Sequence, residues 1–127
     1  MVRMTVQLIA LCSLVFASTA TAAAVPSKRQ ANGRATWYNP EGFGFCGTRQ
    51  DSSQHIVAIS SYWTAGFGTG VCGVQINAWT PDGRSTTATI TDVCYTCGQN
   101  DIDFSPAAFQ DLAPLSSSPI SIEWQLL

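Results

Sequence analysis

Alternation of apolar and polar side chains is clearest at the carboxyl end, where Ile120, Ile122, Trp124 and Leu126 alternate with Ser121, Glu123 and Gln125. A period of two turns one face of a strand to a core and the other to water, so Pro119 to Leu127 is predicted to be a half-buried strand. The same period runs from Val71 to Trp79, with Val74, Ile76 and Ala78 opposite Gln75, Asn77 and Trp79. Thr80-Pro81-Asp82-Gly83 then supplies turn chemistry, because proline presets its φ and glycine tolerates a positive one. The run from Ser85 to Thr91, rich in β-branched residues, completes a hairpin. Ile56 to Ser60 reads as a buried strand, and Arg34 to Tyr38 as a short one stopped by Asn39-Pro40.

Elsewhere the pattern breaks. Glu41 to Gln54 follows neither period and reads as a long loop, and Ala65 to Gly70 reads as a second, glycine-rich one. Ser105-Pro106 is a helix start, since a serine hydroxyl caps free amides and proline suits the first helical position. That helix is expected to run to about Ala113 and to end before Pro114. The sum is mainly β: about six short strands with one or two short helices, which predicts a small barrel. No internal repeat or second domain is evident.

The amino-terminal segment follows other rules. Arg3, the apolar run Val6 to Phe16 and the small residues ending near Val25 stand in the order of a secretory signal peptide, and the run is too short to span a bilayer. Residues 1–24 are therefore assigned to a signal peptide, and the protein is expected to be secreted and extracellular. Residues 25–33 read as a linker or short propeptide, leaving 34–127 for the folded domain. Lys28-Arg29 is either a processing site that would leave Gln30 as the first residue or a solvated basic pair.

From Gln30 onward three arginines face eight acids, a net charge of −5 that disfavours nucleic acid and anionic membranes as partners. A chain this short buries a thin core and gains from covalent staples. With Cys12 lost in the signal, Cys46, Cys72, Cys94 and Cys97 remain, an even count that reads as two disulfides with three possible connectivities. Zinc wants two close ligand pairs, and only Cys94 and Cys97 are close. A thioredoxin-like redox pair would need a strand-helix-strand pattern that is not present around it. No metal, cofactor or N-linked glycan is expected, and the chain is taken as a monomer.

Chemistry concentrates between Thr89 and Ala113, where Asp92 and Asp103 flank the Cys94 to Cys97 segment. Two carboxylates at a fixed separation can hold a polar ligand or serve as acid and base. The ordered set Ala35-Thr-Trp-Tyr38, Cys46-Gly47, Val57-Ala-Ile-Ser60, Cys72-Gly73, Thr89-Ile-Thr-Asp92 and Asp101-Ile-Asp-Phe-Ser-Pro-Ala-Ala-Phe109 resembles the double-psi β-barrel superfamily. Within it the chain is most similar to small secreted fungal proteins with an RlpA-like domain, related to expansins, barwin and plant natriuretic peptides.

The resemblance implies a six-stranded barrel with a shallow groove where the two aspartates meet, lined by Tyr38, and pairing of Cys46 with Cys72 and of Cys94 with Cys97. Asp103 takes the place of the expansin groove aspartate, while Asp101 stands where expansins have histidine and is expected to be an exposed turn residue. Both hydrolytic templates of the superfamily are incomplete. Family 45 glycosidases need a base aspartate where this chain has Pro40, and loss of a base removes a factor of about 10²–10⁴. RlpA transglycosylases have a histidine where this chain has Ser60. His55 lies before that strand, out of register, and reads as a solvated surface residue.

Structural roles compete with these assignments. Asp103 can serve as an acceptor near the helix start at Ser105, Asp92 can hold the backbone of the Cys94 to Gly98 loop, and Tyr38 can be a core tyrosine. Of the tryptophans that could stack on sugar rings, Trp124 is assigned to packing, while Trp79 and Trp63 are added to Tyr38, Asp92 and Asp103 as groove candidates. The function expected from this reading is non-hydrolytic, expansin-like binding of cell-wall polysaccharide. The alternative is inhibition of a papain-like protease or a host-directed effector role, with the loop from Glu41 to Gln54 inserting into a cleft.

Overall fold

The computed structural model describes residues 30–127; the expected signal peptide and the Lys28-Arg29 site lie outside the described residues. Six strands close into a barrel in the order β1, β7, β4, β6, β5, β8. These are β1 (Ala31–Trp37), β4 (Ile56–Ser60), β5 (Gln75–Trp79), β6 (Ser85–Cys94), β7 (Ile102–Phe104) and β8 (Ile120–Leu126). A separate two-stranded hairpin, β2 (Gly42–Phe43) and β3 (Arg49–Gln50), leans on the barrel wall. The pairs β1–β7 and β4–β6 are parallel and the other four are antiparallel.

Period-two patterning fills the interior as expected. Ile76 and Ala78 from β5, Ile122 and Trp124 from β8, and Val57 and Ile59 from β4 are 3% exposed or less. Helix α2 (Pro106–Leu112) covers one opening of the barrel with Ala108, Phe109 and Leu112, all buried. Its cap is Ser105, whose oxygen accepts from the Ala108 amide and from the Ile56 amide and donates to the Gln54 carbonyl. One buried hydroxyl thus ties the helix start to the entry of β4.

Four departures from the sequence expectations have local causes. Strand β1 begins at Ala31 rather than Arg34, because Ala31, Asn32 and Gly33 pair with Trp124, Glu123 and Ile122 of β8. Gly33 is a packing glycine: a Cβ there would sit 1.8 Å from the Asn100 carbonyl oxygen. The glycine-rich stretch expected to be loop is a helix, α1 (Ser61–Phe67), whose first turn is capped by Ser60 and which ends at Gly68 with φ +55°. The long loop from Glu41 to Gln54 contains the β2–β3 hairpin. Finally β7, the sixth strand, has only three residues, too few for a period to show.

Both disulfides pair as the resemblance implied. Cys46–Cys72 ties the hairpin to the turn after α1, and Cys94–Cys97 closes a tight loop at the end of β6. Among the described residues no helix is long and apolar enough to cross a membrane.

Candidate functional site

A row of residues runs across four strands. Thr36 of β1 is in register with Asp103 of β7, Asp103 with Ala58 of β4, and Ala58 with Asp92 of β6. Because Ile102 and Phe104 fill the core, Asp103 between them points out of the barrel. Asp92 reaches the same outer face through an irregularity: Val57 pairs with Ile90, but Ala58 pairs with Asp92, so Thr91 is an extra residue in β6. Such a bulge shifts the facing of everything beyond it. The two aspartates are therefore two strand spacings apart, about 10 Å between Cα atoms.

Their surroundings differ. Asp92 Oδ1 accepts from the Phe45 amide at 2.9 Å and from the Val93 amide at 2.8 Å, and Oδ2 accepts from Gln50 Nε2 at 3.3 Å. Gln50, only 4% exposed, accepts in turn from the Tyr38 hydroxyl at 3.3 Å and the Thr91 hydroxyl at 3.0 Å. This closed network fastens the hairpin to the bulge. Asp92 thus holds the hairpin rather than the loop from Cys94 to Gly98.

That second role falls to Asp101, which is not an exposed turn residue. It accepts from the Arg34 amide at 2.9 Å and the Gly98 amide at 3.3 Å, locking β1 to the disulfide loop. Asp103 keeps more freedom: it accepts from the Thr36 hydroxyl at 3.1 Å and from no backbone amide among the described residues. The cap of α2 is Ser105, as the sequence predicts, and the acceptor role near the helix start that competed for Asp103 has no helix amide as partner among the described residues.

Burial raises the Asp103 carboxyl above the usual aspartate range, and the Thr36 hydroxyl partly opposes the shift by stabilising the charged form. The Tyr38 phenol is pushed up as well, first by burial and then by the charges of Asp92 and Asp103. Asp103 opens on a hollow of about 230 Å³ walled by Arg34, Thr36, Asp101, Pro119 and the Cys94–Cys97 disulfide. The two sulfurs and an Asp103 oxygen lie within 4.8 Å of one another, but sulfurs bonded to each other offer no thiolate, so the cluster does not fit a metal.

The structure brings Tyr38, Asp92 and Asp103 together and leaves Trp63 and Trp79 apart. Trp63 belongs to α1, donates its indole N–H to the Gln99 carbonyl at 2.8 Å and packs edge-on against the buried Trp124. Trp79 pairs with Ser85, seven residues before Asp92 on β6 and so about 23 Å away along the strand. His55 pairs with Asp111 of α2 at 2.8 Å. Ser60 is 2% exposed and its hydroxyl is spent on the Cys97 carbonyl and the Tyr62 amide.

Two features escaped the sequence reading. Gln50 is a polar residue in an aperiodic segment, and no pattern marks it as buried. Phe43 and Phe45, 72% and 41% exposed, stand on the hairpin that Asp92 fixes; aromatics inside a disulfide-bounded, glycine-rich loop were the signal available for them. Gly44 between them allows that attachment, since a Cβ there would meet Gln50 Nε2 at 2.4 Å and the Asp92 carboxyl carbon at 2.7 Å.

The sequence family described as lytic transglycolase matches residues 30–124. A papain inhibitor from Streptomyces mobaraensis is 34% identical over 131 residues, covering 93% of this chain and 91% of the relative. Among solved structures, a Streptomyces papain inhibitor superposes with a TM-score of 0.70 at 33% identity, over 78% of this chain and 94% of that one. The apo expansin of Clavibacter michiganensis gives 0.68 at 25% identity over 78% of this chain. This chain covers 50% of the expansin, a mutant of which was solved in complex with cellohexaose.

Proposed function

The chain belongs to the RlpA-like double-psi β-barrel family, and from that premise we propose that it is a secreted, non-hydrolytic inhibitor of papain-like cysteine proteases. The observation that carries this reading is the β2–β3 hairpin. It displays Phe43 and Phe45 to solvent while buried Gln50 of β3, the bond from the Phe45 amide to Asp92 and the Cys46–Cys72 bond in its turn anchor it. A loop fixed before binding loses little entropy when it enters a cleft, and exposed aromatics supply the apolar area such a cleft can bury. The relative that is 34% identical over nearly its whole length is a papain inhibitor, which supports the same partner class. Two disulfides suit an oxidising, extracellular setting.

A non-hydrolytic role fits the residues at the template positions. Pro40 is buried, and Ser60 is buried with its hydroxyl engaged by backbone. Among the described residues the carboxylates near Asp103 are already engaged, Asp92 by two amides and Gln50 and Asp101 by the Arg34 and Gly98 amides, which leaves none free to activate water.

Inhibition of papain by the purified protein tests the proposal. Nanomolar to micromolar inhibition is expected, and a double variant Phe43→Ala/Phe45→Ala should weaken it by about 30-fold or more, the loss of roughly 2 kcal/mol typical of an aromatic anchor. Full papain activity in the presence of micromolar protein would overturn the reading.

A second reading, polysaccharide binding in the aspartate groove, is favoured by one observation: Asp103 is half-buried beside an open hollow with acceptor capacity to spare. Retention on cellulose, chitin or β-glucan that Asp103→Ala abolishes would establish it.

A further inference from the structure

On the outer face of β5, β8 and β1, Trp79, Glu123 and Asn32 stand side by side in register. The Trp79 indole N–H donates to Glu123 Oε2 at 2.8 Å, and the same oxygen accepts from the Gln30 side chain at 2.7 Å. A carboxylate held from two sides fixes the angle of the indole before any ligand arrives. The ring borders a hollow of about 560 Å³, with Asn32, Arg34 and Ser121 on its other sides. The Arg34 guanidinium forms no ion pair among the described residues. Trp79 lies seven residues from the level of Asp92, and Arg34 stands between this hollow and the one at Asp103.

The chemistry here differs from that of the hairpin. Phe43 and Phe45 offer two exposed rings on one fixed hairpin, which suits a protein cleft. Around Trp79 a single flat aromatic plane, extended by Pro81 and Ile122, is ringed by an amide, hydroxyls, a guanidinium and a carboxylate. The last two compensate each other in charge, so the hollow favours a neutral ligand. Little apolar surface is available to form the dry centre that a protein interface needs. A pyranose ring with equatorial hydroxyls has the complementary form: a C–H face to lie on the indole and hydroxyls around its rim to meet fixed donors and acceptors.

We propose that the Trp79 hollow is a binding site for a neutral, β-linked hexopyranose chain. It would hold the protein on a glycan surface while the hairpin remains free. The proposal stands independently of the inhibitor reading, since it uses none of the hairpin residues.

Titration of uniformly ¹⁵N-labelled protein with cellohexaose, laminarihexaose and chitohexaose tests it. At least one of the three should move the Trp79 indole N–H resonance and the amides of Asn32, Ser121 and Glu123. Trp79→Ala should then weaken binding by about tenfold or more, and Ser121→Phe, which places a ring in the hollow while leaving Trp79 in place, should do the same. Asp103→Asn should change it by less than about twofold, and papain inhibition should be the same with and without Trp79→Ala. No response at Trp79 to any of the three sugars, undiminished binding by both blocking variants, or shifts centred on Asp103 would each overturn the proposal.

Discussion

The Cα of Gly44 lies so close to Asp92 that a methyl group on it would come within 2.7 Å of the carboxyl carbon. Neither partner can move away cheaply, because Asp92 is also bound to the Val93 amide and to buried Gln50. Gly44→Ala is therefore expected to lift the hairpin off β6 and to cost about 1–3 kcal/mol, the usual range for overpacking. Urea unfolding gives the cost. Amide exchange at Phe45, whose N–H bonds to Asp92, should accelerate more than exchange in β5 or β8.

Gln50 has the most to lose on substitution. Gln50→Ala removes the acceptor used by the Tyr38 and Thr91 hydroxyls and the donor to Asp92, all at a residue that is 4% exposed. Buried groups left without partners cost about 1–3 kcal/mol each, so a loss of at least about 2 kcal/mol is expected in thermal or chemical unfolding. Tyr38→Phe, which leaves Gln50 and Asp92 bonded to each other, should cost about 1 kcal/mol or less.

Asp103 makes a prediction of opposite sign. Its carboxyl is raised in the folded protein by burial, so the folded state binds the proton more tightly than the unfolded chain does. The favourable contribution is fully present below the unfolded value of about 3.9 and is lost as pH rises through the folded value. Asp103→Asn should consequently raise stability at neutral pH, by less than about 1 kcal/mol given the solvent screening of a half-exposed group, with the difference vanishing in acid. Unfolding curves across the acidic range check this; a variant less stable than wild type at neutral pH would contradict it.

The Cys46–Cys72 bond spans 26 residues and connects the hairpin to the turn after α1. Replacing both cysteines by serine should cost on the order of 3 kcal/mol through restored chain entropy in the unfolded state. The loss of papain inhibition should exceed what the stability change explains, because the hairpin keeps no covalent tie and is held only by hydrogen bonds, those of Asp92 and Gln50 and that of the amide of residue 46 to the Thr91 carbonyl. Inhibition measured well below the unfolding transition separates the two effects.

What could be read in advance follows from how each part is held. Strands β5 and β8 were legible because burial of one face imposes a period, β4 and β6 because they are runs of apolar and β-branched residues, and helix α2 because Ser105-Pro106 writes a cap. The starts and ends that depend on a partner strand were not: nothing in Ala31-Asn32-Gly33 reveals that β8 needs a neighbour there. Helix α1 was hidden by Gly66, which lowers helix propensity where the Ser60 cap, the stacking of Trp63 on Phe67 and its edge-on packing against Trp124 compensate, and by Gly68, which ends it. In the candidate site, Tyr38, Asp92 and Asp103 were found through a matching family pattern. Gln50 was not, since its burial depends on where Thr91 falls. Trp79 was misplaced because parity gives a side chain's face and not its distance along the strand, and Trp63 because the helix that turns it toward Trp124 was not legible.

The extra residue at Thr91 has a further consequence. Before it, Thr86, Ala88 and Ile90 are the buried positions of β6; after it, Asp92 is exposed in part and Val93 is buried against the register of Ile59. The strand thus carries two independent phases joined at one residue. The first phase holds β6 to β5, while the second pairs Asp92, Val93 and Cys94 with β4 and turns the Asp92 carboxylate to the outer face. A change at Asp92 therefore leaves the facing of Thr86, Ala88 and Ile90 untouched, and an engineer seeking a new specificity has a seam at Thr91.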